Sequence, residues 1–187
     1  MNQPIIIGFV GYKRSGKDTA AACLKAMLPS KQYPIVVRAG FADEVKAEIA
    51  EALGSTVEYI EANKTRPEVR KLLQWWGTDL RREQDSNYWI KRLENKIAAI
   101  PTLKDERHVF LVPDIRFHNE ADWIRQQGGY LIKVNRAGLV NIDTHASEAN
   151  VSSIHCHLHI HNDNTVLKLQ HEMQWAWVDY IKPHFKL

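Results

Sequence analysis

The residues Gly11-Tyr12-Lys13-Arg14-Ser15-Gly16-Lys17-Asp18-Thr19 carry the clearest chemistry in the chain. The arrangement G-x-x-x-x-G-K is the spacing of a phosphate-binding loop. Gly11 and Gly16 admit backbone conformations closed to residues with side chains. Successive N–H groups can then point at phosphate oxygens, and the start of the following helix adds positive potential. Lys17 brings a mobile ammonium to the β- and γ-phosphates. The Ser or Thr usual after the lysine is Asp18 here, and Thr19 follows it. Asp18 is a candidate for the magnesium side of such a site; its competing role is to favour the helix dipole. A chance Gly-rich turn is the bland alternative, and the position between an apolar run and an Ala-rich run weighs against it.

Further polar residues recur at positions where such a loop would need them. Asp114 follows the buried-type run His108-Val109-Phe110-Leu111-Val112, which makes it the candidate acid for a magnesium shell. Arg66, Arg70, Gln74 and Arg81 fall on one polar face of a helix that Pro67 opens, provided the helix survives Gly77. Guanidinium forks on one face suit a phosphate, which each can hold bidentately, and Gln74 can read an amide-like base edge. A solvated face is the alternative. The tryptophans beside them read as core rather than as stacking platforms. Asp43 sits where a helix starts and serves either as its cap or as a substrate contact. His155, His157, His159 and His161 recur at period two; a half-exposed strand with a polar face is favoured over a metal site.

The elements that position these residues alternate. Ile5–Val10 reads as a strand and Ala20 to Met27 as a helix. Residues 33–38 form a second strand, and 44–53 a helix closed by Gly54. Residues 55–90 break the alternation. A helix from Asp85 to Ala99, the strand at 108–112, a helix to Gln127 capped by Asn119 or His118, and the strand Tyr130 to Val134 follow. Residues 136–150 have the length and composition of a mobile lid. The closing helix repeats Val166, Leu169, Met173, Trp177 and Ile181 at helical spacing.

A chain of 187 residues, 44% hydrophobic and 25% charged, reads as one soluble domain. No apolar run approaches the ~20 residues of a membrane span, and the first residues read as a strand rather than a signal peptide. Cys23 and Cys156 define no disulfide framework, so a reducing cytoplasm fits best. A formal charge of +3 suits an anionic substrate and is too weak to imply nucleic acid.

The chain resembles the deoxynucleoside monophosphate kinases of bacteriophages, within the P-loop nucleoside-monophosphate kinase superfamily. The likeness lies in GYKRSGKDT, FADEVK (41–46), LLQWWGTDLRR (72–82), YW (88–89), PDIRFHNEADWI (113–124), DTHASE (143–148) and HIHND (159–163). It implies a three-layer α/β/α fold with a parallel sheet: a core of 1–40, 91–135 and 151–187, a monophosphate-binding insertion at 41–90 and a lid at 136–150. It implies transfer of the γ-phosphoryl of ATP to a deoxynucleoside monophosphate, with Mg²⁺, in a host cytoplasm if phage-encoded. The roles it suggests are as follows. Gly11, Lys13, Ser15, Gly16 and Lys17 hold the ATP phosphates. Asp18, Thr19 and Asp114 serve Mg²⁺. Arg70, Gln74 and Arg116 hold the monophosphate, with Asp43 and Lys46 beside them. Arg136 closes over the transferring group, and His145 and Glu148 order the lid. Another P-loop small-molecule kinase, such as a phosphomevalonate kinase, and a nucleotide-gated module that binds nucleic acid are the alternatives. The resemblance is compatible with a homodimer and does not rank the bases accepted.

Overall fold

The unbroken apolar run Ile5–Val10 forms strand β1, buried along its whole length. That is the pattern of a central parallel strand covered on both faces. The computed structural model describes residues 3–30, 32–33, 35–101, 107–139, 150–163 and 165–187. Four more strands lie parallel with β1: β2 (Ile35–Arg38), β3 (His108–Ile115), β4 (Tyr130–Asn135) and β5 (Leu158–His161). Their order is β2-β3-β1-β4-β5, so β1 holds the centre.

Helix α1 (Lys17–Met27) packs on one face with the long helix at the end of the chain. That helix comprises α8 (Val166–Ala176), a π-helical turn Trp177–Ile181 and α9 (Lys182–His184). Ile5, Ile7 and Phe9 meet Ala20, Leu24, Leu169, Met173 and Trp177 in this layer. Helix α7 (His118–Gln126) packs against β1 and β4 from the other face, where Ile6, Val10, Ala121 and Ile124 are buried. Helices on both faces of a parallel sheet are the expected three layers.

β1 and β3 slip register near their C-terminal ends: Gly8 pairs with Val112, but Val10 pairs with Ile115. The extra residue falls at Pro113-Asp114, where proline has no N–H for the ladder. The slip leaves Asp114 half-buried between the buried Pro113 and Ile115.

Residues Met1–Ala39 and Pro101–Leu187 form one compact unit, and Gly40–Ile100 forms a second. The second holds α2 (Phe41–Ala52), α3 (Val57–Asn63), α4 (Pro67–Gln74), a π-helical turn Trp75–Leu80, α5 (Arg81–Gln84) and α6 (Tyr88–Ala98). It runs on to Ile100. Trp89, Ile90 and Leu93 of α6 are buried, and α6 packs on α2.

Local boundaries differ from the sequence reading for visible reasons. The α7 cap is neither His118 nor Asn119. The Glu120 carboxylate turns back to accept from the N–H groups of Arg116 (2.9 Å) and Phe117 (3.1 Å). Helix α6 starts at Tyr88 because the Asp85 carboxylate accepts from Asn87 N–H (2.9 Å) and closes a turn first. The histidine row is a strand only over Leu158–His161, with His159 and His161 exposed and Leu158 and Ile160 buried. The Nδ1 of His157 accepts from Leu131 N–H (2.9 Å). Among the described residues no group of three or more His, Cys, Asp or Glu could hold a metal ion. Residues 140–149 of the lid segment, with His145 and Glu148, lie outside the described residues.

Candidate active site

The loop between β1 and α1 is built from its glycines outward. Gly16 sits at φ 95°, in the left-handed region, and caps α1. Arg14 also has positive φ, at 66°, an uncommon conformation that clusters at functional loops. The turn closes through Ser15 N–H to Tyr12 O at 3.0 Å. The first helical bond is Ala20 N–H to Gly16 O at 2.8 Å, so the N–H groups ahead of it line the open end of the helix. Gly11 admits close approach: a Cβ there would lie 2.5 Å from Ser15 Oγ and 2.7 Å from Val134 O.

Two features suit this loop to an anion. Lys17 is 5% exposed, with its Nζ 3.4 Å from Tyr12 O inside the loop. The hydroxyl of Ser15, 1% exposed, has no hydrogen-bond partner among the described residues. A cation and a donor beneath a ring of N–H groups make a cradle for phosphate oxygens. Lys13 stands exposed on its rim.

The other predicted residues of this unit end on neighbouring strands. Asp18 and Thr19 are exposed in the first turn of α1. Asp18 takes a hydrogen bond from Arg38 Nη2 at 3.1 Å, so the end of β2 reaches the start of α1. Asp114 is half-buried in β3, and Arg116 follows its last residue. Arg136, just beyond β4, donates from Nη1 to Arg14 O at 3.2 Å. A cavity of about 150 Å³ is lined by Gly11, Tyr12 and Ser15 of the loop and by Lys133, Asn135 and Arg136. Ligands of open parallel sheets bind at this edge, outside the carboxyl ends of the strands.

In the second unit Arg70 and Gln74 lie half-buried on α4. Asp43 is the third residue of α2 and accepts from Gly40 N–H at 3.3 Å, so it closes the helix start from within. It also holds Lys46, whose Nζ lies 2.9 Å from Asp43 Oδ1 and 2.8 Å from Glu61 Oε2. Burial works against the Lys46 charge; the hydrogen bonds and charges of Asp43 and Glu61 outweigh it and raise its pKa. Burial likewise opposes the Glu61 charge, and the bonds from Lys46 and Lys64 bring its pKa down to about 2.

Sequence reasoning missed the centre of this unit. Glu48 Oε1 accepts from Trp76 Nε1 (3.0 Å) and Arg81 Nε (2.5 Å). Its Oε2 accepts from Tyr88 OH (2.7 Å) and lies 3.3 Å from Arg92 Nη1. Desolvation would raise the Glu48 pKa, but the Tyr88, Trp76 and Arg81 bonds lower it. The Arg81 guanidinium also lies over the rings of Tyr88 (5.1 Å) and Trp76 (5.7 Å). Arg81 is therefore committed within the unit rather than ranged with Arg70 as a phosphate fork. A glutamate at a helical position carries no local signal of this role; the cluster of Trp, Arg and Tyr downstream was the only hint. Arg38 and Asn162 were missed for the same reason.

A model of the family described as deoxynucleotide monophosphate kinase matches residues 35–173. The chain belongs to the deoxynucleotide monophosphate kinase family. It is a phosphotransferase, and its fold is a parallel sheet between two helix layers. A putative deoxynucleotide monophosphate kinase of Acanthamoeba polyphaga mimivirus is 34% identical over 167 residues, covering 80% of this chain and 83% of its own. The deoxynucleotide monophosphate kinase of Enterobacteria phage T4 is 33% identical over 102 residues, 54% of this chain and 42% of its own. The crystal structure of TT1252 from Thermus thermophilus shares the fold, with a TM-score of 0.52 over 95% of this chain and 98% of its own, at 19% identity. The family match opens at β2, so the phosphate loop of this kinase stands on its own geometry. Among the described residues no helix is long and apolar enough to cross a membrane.

Proposed function

We propose that this kinase moves the γ-phosphoryl of ATP onto a deoxynucleoside monophosphate, giving the diphosphate and ADP. The observation that carries the reading is the cradle of residues 11–17, with Lys17 and the Ser15 hydroxyl buried in it, in a chain of this family. An oxygen of the acceptor phosphate attacks the γ-phosphorus while the bond to the β,γ-bridging oxygen breaks. The acceptor is already an oxyanion, so no general base is needed. Catalysis is then positioning and neutralisation of charge spread over the phosphoryl oxygens.

We assign Gly11, Lys13, Ser15, Gly16 and Lys17 to the ATP phosphates, and Arg136 to the transferring group. Arg116 of the first unit, and Arg70 and Gln74 of the second, are assigned to the monophosphate. Asp43 and Lys46 shape the start of α2 within the second unit. Magnesium fits the donors present: Asp18, Thr19 and Asp114 offer hard oxygens and do not form a closed protein cage, which suits an ion that keeps waters and phosphate oxygens. When bound, Mg²⁺ neutralises charge on the phosphates. The cytoplasm is the compartment we assign, in keeping with the free thiols of Cys23 and Cys156.

A coupled assay of ADP release, run with ATP over all common nucleoside and deoxynucleoside monophosphates, tests the reading. Turnover with at least one deoxynucleoside monophosphate is expected. Turnover with none of them, while another phosphorylated small molecule is accepted, would overturn it.

A further inference from the structure

A loop whose N–H groups converge on an anion must turn its carbonyls outward, and buried carbonyls need donors. In this chain the donor to the Ser15 carbonyl comes from far away in sequence. Asn162, the first residue past β5, donates from Nδ2 to Ser15 O at 2.9 Å. Its own backbone N–H is held by Asn135 O at 2.7 Å, at the end of β4. Asn162 is 7% exposed, and its amide fills the space beside Gly16: a Cβ on Gly16 would lie 2.2 Å from Asn162 Nδ2.

The geometry points to Asn162 as a positioning residue for the nucleotide phosphates. The peptide between Ser15 and Gly16 is planar and trans, so its C=O and N–H point in opposite directions. Fixing Ser15 O on one side aims Gly16 N–H to the other. Through the planes that follow, it also fixes the entry to α1, where Lys17 begins the helix. Asn162 itself touches no substrate. It acts by removing one rotational freedom from the loop before ATP arrives, which is where preorganisation gains affinity and rate. This role rests on the reading that residues 11–17 hold the ATP phosphates.

Three variants test it by calorimetric titration with ADP and by steady-state kinetics with ATP and an accepted monophosphate. Asn162→Ala should raise the Kd for ADP and the KM for ATP about tenfold, as for the loss of one hydrogen bond to a positioned group. The KM for the monophosphate should stay within about twofold. Asn162→Asp keeps the side-chain volume but sets a carboxylate against the Ser15 carbonyl. It should bind ADP less well than Asn162→Ala at about pH 8. It should recover relative to the parent as the pH falls to about 5.5, because a buried carboxyl there titrates late and regains an O–H donor. A purely structural residue would lower affinity for both substrates together and show no such recovery. ADP binding within about twofold of the parent in both variants, or equal losses for ADP and the monophosphate, would overturn the role. Lys17→Ala separates the two levels of the argument. If it binds ADP like the parent, the loop reading itself fails; if it loses ADP while the Asn162 variants keep it, only the role of Asn162 falls.

Discussion

The two units are organised in opposite ways. The first presents at its loop backbone N–H groups, one buried lysine, one buried hydroxyl and carbonyls bonded by Asn162 and Arg136. The second is held by charge. Glu48 gathers Trp76, Arg81, Tyr88 and Arg92, Glu44 holds Lys96, and Lys46 bridges Asp43 and Glu61. Backbone geometry is set by conformation and survives salt and pH. Networks of partly exposed charge are tunable and screened. The contrast separates a loop set by backbone geometry from a unit with adjustable ionic supports.

The comparison can be broken first at Gly16. Gly16→Ala combines a φ of 95° with a Cβ 2.2 Å from Asn162 Nδ2, and moving that amide breaks its bond to Ser15. Turnover should fall at least about 10²-fold, the scale on which an ångström of misplacement acts. Circular dichroism should show the helices retained. Near-parental turnover would mean the loop is not rigid.

Glu48→Gln sharpens the other side. The carboxylate is 9% exposed and its partners Arg81 and Arg92 about a third exposed, at 29% and 34%. Losing the charge while keeping an acceptor should cost about 1–3 kcal/mol of stability, the scale of hydrogen bonds to charged groups. The KM for the monophosphate should rise with the Kd for ADP unchanged. A variant that changed only ADP binding would reverse the division of labour.

The smallest effect lies at Glu61. Its folded pKa of about 2 is below the ordinary glutamate value of 4.5, so the contribution is complete above pH 4.5 and is lost as the pH falls towards 2. At 43% exposure its pairs with Lys46 and Lys64 are partly screened, and ~0.2–1 kcal/mol is the scale expected. The gap in urea midpoint between the parent and Glu61→Gln should therefore close as the solution is acidified. A gap of equal size at pH 7 and at about pH 2.5 would show that the pairs contribute nothing pH-dependent.

What was legible from the sequence was local. The loop announced itself because two glycines and a lysine at fixed spacing encode a backbone path and a charge. Ile5–Val10 and the apolar run at 108–112 showed their burial directly, and Pro67 marked the first turn of α4. What stayed hidden was separated in sequence. Ser15 and Asn162 are 147 residues apart, and Trp76 and Arg81 reach Glu48 across 28 and 33. No periodicity reports such pairs. The caps also misled: Phe117 serves as the cap of α7 because Glu120 supplies the acceptor, so the polar residues after it are not needed for the task.

The wide turn at Trp75–Leu80 has a consequence for anyone who edits this helix. The bonding pattern there steps out of the α-helical frame, and the Gly77 carbonyl is taken by Trp89 Nε1 at 2.7 Å. Residues on the two sides of Gly77 thus belong to different rotational frames. Arg70 and Gln74 are counted in one frame, Arg81 and Arg82 in the other. A helical wheel drawn straight through 67–84 places side chains on faces they do not occupy. Removing one residue from the turn would merge the frames, swing Arg81 away from Glu48 and leave the Trp89 indole without its acceptor. The segment behaves as two short rulers joined at a calibrated offset, and designs that graft or shorten it must carry the offset with them.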